Sequence, residues 1–176
     1  MNIKVLKILG TIFAFLLCFP LHYLYNYFPC FITSVVSPVN ESIWEHMKIL
    51  FTSILISGVI QKTYVIVSKS KFNNICFSNF IAAIGSIPIF LVIFLPIYST
   101  IGENFIITII IMLITIIISE YISYKIINLK DKKLENITIV LVIIVYIIFA
   151  ILTYYPLNND LFKHTNNNTC CIYNIN

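Results

Sequence analysis

Phe105-Ile106-Ile107-Thr108-Ile109-Ile110-Ile111-Met112-Leu113-Ile114-Thr115-Ile116-Ile117-Ile118-Ser119-Glu120-Tyr121-Ile122-Ser123-Tyr124 carries a single charged side chain, Glu120, and its apolar residues do not alternate with polar ones. In water so much isoleucine would favour a strand. Hydrocarbon reverses that preference, because a peptide group left unpaired there costs several kcal/mol and must be satisfied inside one helix or a closed barrel. A barrel strand shows dyad alternation, and this stretch has none. About 20 residues rising about 1.5 Å each span the ~30 Å hydrocarbon core of a bilayer. The stretch predicts a membrane-crossing helix.

Four further runs read the same way, giving an all-α, polytopic membrane helix bundle with helices expected at about 5–28, 44–67, 75–98, 105–124 and 137–155. Composition agrees. Of 176 residues 60% are hydrophobic and 10% charged, where a soluble domain has about 25% charged. Mean hydropathy is +0.97. The organisation expected is one transmembrane domain, 1–156, and a short polar tail, 157–176. Heavy use of isoleucine, asparagine and lysine reads as the bias of an AT-rich bacterial genome.

The net charge of +4 comes from lysine alone, and its placement orients the chain instead of pointing to nucleic acid. Lys4 and Lys7 precede the first run, Lys62, Lys69 and Lys71 follow the second, and Lys125, Lys130, Lys132 and Lys133 follow the fourth. Five crossings put all of these on one face. By the positive-inside rule that face is cytoplasmic, so the N-terminus is expected inside, the C-terminus outside, and the bacterial cytoplasmic membrane is the expected location. Lys4 and Lys7 before an apolar run imitate a signal peptide, but no small-x-small cleavage site follows. The run is read as an uncleaved first helix.

The densest polar cluster lies between the first two helices, in Ser37-Pro38-Val39-Asn40-Glu41-Ser42-Ile43-Trp44-Glu45-His46-Met47-Lys48. Pro38 breaks the preceding segment. Ser42 followed three residues on by Glu45 is a capping-box pattern, Trp44 suits an interfacial anchor, and Lys48 can snorkel while pairing with Glu45. Those roles leave Asn40, Glu41 and His46 over. Carboxylates and an imidazole at this spacing are able to hold a divalent metal or exchange protons, with Glu45, His46 and His22 as candidate ligands. Asn40, Glu41, Ser42, Trp44, Glu45 and His46 form the candidate site. His22, Asp160, Glu103, Lys163 and His164 converge on the same side.

Glu120 stands apart. A carboxylate in mid-membrane costs roughly 2.5–3.5 kcal/mol and usually faces the bundle interior; here, about one turn from the boundary, it is expected to snorkel to water or pair with Lys125, or else to relay an ion or proton. In the third run Ser78, Ala82 and Ser86 form a small-residue stripe for close helix approach, within the bundle or in a homodimer, and Pro88 and Pro96 are expected to bend its outer half. Topology permits a disulfide from Cys30 to Cys170 or Cys171. No nucleotide fingerprint, nucleophile elbow or cofactor motif is present.

The segment Pro38-Val39-Asn40-Glu41-Ser42-Ile43-Trp44-Glu45-His46-Met47-Lys48 resembles an uncharacterised family of small bacterial polytopic membrane proteins marked by N-E-S-x-W-E-H. The likeness extends over most of the chain, including Tyr154-Tyr155-Pro156 and Leu161-Phe162. Asn158, Asn159 and the asparagine run depart from that family's proline- and glycine-containing ending. The resemblance implies architecture and singles out the segment without supplying a mechanism. Three function classes follow: a non-enzymatic accessory or ligand-binding membrane protein, first in rank; an interfacial or intramembrane hydrolase, with or without metal; and a small carrier or channel using Glu120.

Overall fold

The computed structural model describes residues 2–70, 72–102, 104–129 and 134–163. Among them are six α-helices and no strand: α1 Ile3–Tyr27, α2 Phe31–Val36, α3 Ile43–Val67, α4 Ile75–Ile101, α5 Phe105–Ile127 and α6 Glu135–Tyr154, then a 3-10 turn at Asp160–Phe162. All but α2 are long and apolar enough to cross a membrane. Each expected helix is present, most of them extended by a few residues. The short α2 and the 3-10 turn are additions, too brief for a hydropathy window to detect.

Local chemistry sets the boundaries. The Asn2 side chain accepts from Lys4 N at the start of α1, and Asn104 accepts from Ile107 N at the start of α5, each satisfying an amide that a helix start leaves unpaired. Ser42 caps α3 by accepting from Glu45 N at 3.4 Å. The reciprocal half of the expected capping box does not form, because Ser42 N donates to Asn40 Oδ1 instead and the Glu45 carboxylate is used elsewhere. Gly102 ends α4 with φ +77, a left-handed value that favours glycine. Helix α4 continues through Pro88 and Pro96.

The bundle buries many polar side chains within its apolar core and exposes apolar ones on its outer surface. Ser53, Ser57, Ser78, Ser86, Thr115 and Ser119 are buried, while Ile8, Leu16, Ile110, Ile117 and Ile143 face outward. A water-soluble domain keeps most of its polar side chains outside. Helix α3 is the hub, packed on α1 and α4, while α5 packs on α1 and α4 and α6 rests on α2 and α4. Ser78, Ala82 and Ser86 are all fully buried inside the chain's own bundle, where small side chains let neighbouring helices pack closely. Gly58 lets α3 meet α4 closely: a Cβ there would lie 2.7 Å from Asn79 Cβ.

Alternating direction places the starts of α1, α4 and α6 with the ends of α3 and α5 at one end, which also carries Lys4, Lys62, Lys69 and Lys125. The other end holds α2, the 37–42 segment and the 3-10 turn. Every candidate for a site falls at one of these two ends.

Candidate functional site

A buried latch fixes the 37–42 segment. Lys48, with its side chain fully buried, pairs with Glu45 Oε2 at 2.5 Å and also donates to the Ser34 carbonyl at 2.8 Å and Thr153 Oγ1 at 3.0 Å. Glu45 Oε2 in turn accepts from Val39 N at 2.9 Å. One ion pair thereby joins α2, the segment, α3 and α6. The lysine does not snorkel outward as expected; three acceptors hold its ammonium inside. The carboxylate is consumed by this latch and takes no part in the cluster beside it.

With the segment held, Glu41 turns toward α1. Its Oε2 lies 3.5 Å from His22 Nε2 and 3.7 Å from His46 Nε2. One ligating atom from each residue lies within 4.8 Å of the others. The two imidazoles meet edge to face at 5.8 Å, and His22 stacks on Tyr23 at 5.1 Å. His46 Nδ1 is 2.9 Å from the Ser42 carbonyl oxygen. A carbonyl only accepts, so Nδ1 carries a proton and donates there, while Nε2 faces Glu41. A cavity of about 50 Å³ opens beside the three, bounded also by Ile43, Phe94, Phe105 and Thr108.

The residues expected to form the site therefore divide into groups. Glu41, His46 and His22 converge; Glu45 does not join them, because Lys48 takes it. Asn40 and Ser42 shape the turn. Trp44 lies 5.0 Å from Phe162 and 5.5 Å from Phe149, an anchor for the tail and for α6. Asp160 pairs with Lys163 at the surface, away from the cluster. Glu103, His164, Cys170 and Cys171 lie outside the described residues, and with them the expected disulfide.

Glu120 is buried in the interior and neither snorkels nor pairs with Lys125; its partner is Lys7 of α1 at 3.1 Å. Lys125 instead sits over the Tyr121 ring, 5.2 Å from its centroid. Lys7, Asn79 and Gln61 are functional candidates that sequence reasoning missed. A usable signal existed: Gln61 and Asn79 are polar residues inside apolar runs and Lys7 borders one, all at comparable depth from the lysine-rich end.

Five helices long and apolar enough to cross a membrane, with apolar faces outward, are the architecture of a multi-pass helical membrane protein. Residues 2–172 match the family of unknown function DUF6512, and the chain belongs to that family. No curated protein and no solved structure matches it.

Proposed function

We propose that the chain is a multi-pass protein of the bacterial cytoplasmic membrane, its lysine-rich end inside, that binds a divalent transition-metal ion at its outer end through His22, Glu41 and His46. The observation that carries this reading is the convergence of two imidazoles and one carboxylate. Ligands about 2.0–2.2 Å from a tetrahedral zinc stand about 3.4 Å from one another. The separations of 3.5 and 3.7 Å to Glu41 need only a small contraction. Imidazole with carboxylate suits zinc and its first-row neighbours, and a ligand histidine whose second nitrogen donates to a carbonyl is the usual support for such a site.

Binding without catalysis is the leading form. A hydrolytic form is favoured by one feature, the cavity at the open side of the triad, which has room for water; zinc lowers the pKa of bound water to about 7. Elemental analysis of the detergent-purified full chain tests the binding. Zinc, cobalt or nickel retained by the wild type and lost from His22→Ala and His46→Ala supports it. Wild-type protein that takes up none of these ions after incubation and gel filtration refutes it. Cleavage of an ester or peptide by the loaded wild type alone would establish the hydrolytic form.

A further inference from the structure

At the lysine-rich end four helices meet around the buried ion pair. Lys7 Nζ donates to Glu120 Oε2 at 3.1 Å and also to Asn79 Oδ1 and Ser123 Oγ. Glu120 Oε1 accepts from Gln61 Nε2 at 3.2 Å, Gln61 Nε2 also reaches Ser57 Oγ, and Ser57 Oγ donates to the Gly10 carbonyl. Helix stapling accounts for the pair itself. It does not account for a surplus of oxygen: Gln61 Oε1, Ser119 Oγ and Thr115 Oγ1 are buried without a hydrogen-bond partner among the described residues. Native interiors rarely leave such atoms unsatisfied, and the three N–H bonds of Lys7 are already used.

A carboxylate with amide and hydroxyl oxygens is a donor set for a hard cation. Charge selects its valence. Glu120 offers one negative charge, and an uncompensated charge in the membrane interior is expensive, so the centre accommodates one positive charge at a time. We infer that Lys7–Glu120 is a site where a monovalent alkali cation replaces a proton. The cation enters against Glu120, Gln61 Oε1, Ser119 Oγ, Asn79 Oδ1 and Ser123 Oγ; the Lys7 ammonium loses one proton to water and becomes an amine. Glu120 stays a carboxylate and the net charge is unchanged. From α1 the centre is faced by Lys7, from α3 by Gln61 and through it Ser57, from α4 by Asn79, and from α5 by Glu120 and Ser123, with buried Ser119 next to Glu120 in the chain. Tyr64 and Tyr124 pack nearby around Leu6.

The test uses the purified full chain in weakly buffered detergent with a pH-reporting dye. Sodium, lithium or potassium chloride is added, with choline chloride as the ionic control. At least one alkali ion is expected to release protons saturably, to roughly one per chain, since binding at a protonated ligand displaces its proton. Glu120→Gln, checked for helicity and monodispersity, is expected to release none. Ser119→Ala, which leaves the ion pair intact, is expected to weaken the cation about tenfold. Wild-type release no greater than with choline, or equal release from a folded Glu120→Gln, overturns the inference.

Discussion

His22 in the last turns of α1 and His46 in the first turn of α3 hold their rings edge to face, the planes at 80°, with Glu41 Oε2 reaching toward both Nε2 atoms. The histidines are positioned by long helices and the carboxylate by a loop, so the three can be separated experimentally. Glu41→Gln keeps the shape and removes the charge. It is expected to weaken zinc binding at least tenfold in competition with a chromophoric chelator, with helicity unchanged. Glu45→Gln is expected to weaken zinc binding less than Glu41→Gln, because Glu45 faces Lys48 and acts on the triad only by holding the 37–42 segment. Equal loss from both would mean the segment, and not Glu41, matters.

Lys48 and Glu45 are a stability device. Removing one partner of a buried pair strands the other charge and costs about 3–5 kcal/mol. Lys48→Ala is expected to lose that much, seen as a large fall in the thermal midpoint in detergent. The double replacement Glu45→Leu with Lys48→Met removes both charges and is expected to recover most of the loss. A single variant as stable as the wild type would remove the latch from the account.

The five long helices were legible because each rests on composition, a property of a whole window. Helix α2 was not, because its six residues fall below any window and its place depends on Lys48, which donates to the Ser34 carbonyl from the far side of the 37–42 segment. The site was half legible. Glu41, His46 and His22 could be named from their types and their common end, yet which carboxylate belonged to the histidines depended on Lys48 being buried, and snorkelling was the better prior for a lysine one turn into a helix. Glu120, one turn from the boundary, reads as able to reach water or Lys125, yet it is buried against Lys7. Lys125 is near in sequence; Lys7 is near only once α1 lies against α5.

Trp44 is the one tryptophan in the chain, and its ring packs tilted by 30° against Phe162 of the 3-10 turn. Its emission therefore reports whether the tail is docked. Phe162→Ala is expected to shift the emission to longer wavelength and to increase quenching by iodide, with little change in helicity. An unchanged spectrum would show that the tail does not cover the indole in solution.

Two glycines make opposite predictions. A Cβ at Gly58 would lie 2.7 Å from Asn79 Cβ and 2.9 Å from Asn79 Cγ, whereas one at Gly85 meets nothing within 4 Å. Gly58→Ala forces α3 and α4 apart and is expected to cost about 1–3 kcal/mol. Gly85→Ala is expected to be neutral or to stabilise by up to ~1 kcal/mol through helix propensity. Equal thermal midpoints in detergent would contradict the close α3–α4 contact.

Cys30 bears on orientation. It sits fully exposed between α1 and α2, and the Thr33 side-chain hydrogen bond, followed by the Thr33 backbone bond, lowers its thiol below the ordinary range. The thiolate is the reactive form, so lowering the pKa raises the reactive fraction at neutral pH. In a Cys170→Ser, Cys171→Ser background, an impermeant maleimide is expected to label Cys30 from outside intact cells, while buried Cys18 stays unlabelled. Thr33→Val is expected to slow that labelling at neutral pH and to match the parent only at higher pH, where both thiols are ionised. Lys69→Cys, at the opposite end of α3, is expected to be labelled only after the cells are opened. If it reacts from outside and Cys30 does not, the bundle is inverted and the His22–Glu41–His46 triad faces the cytoplasm, where its metal would have to come from the intracellular pool.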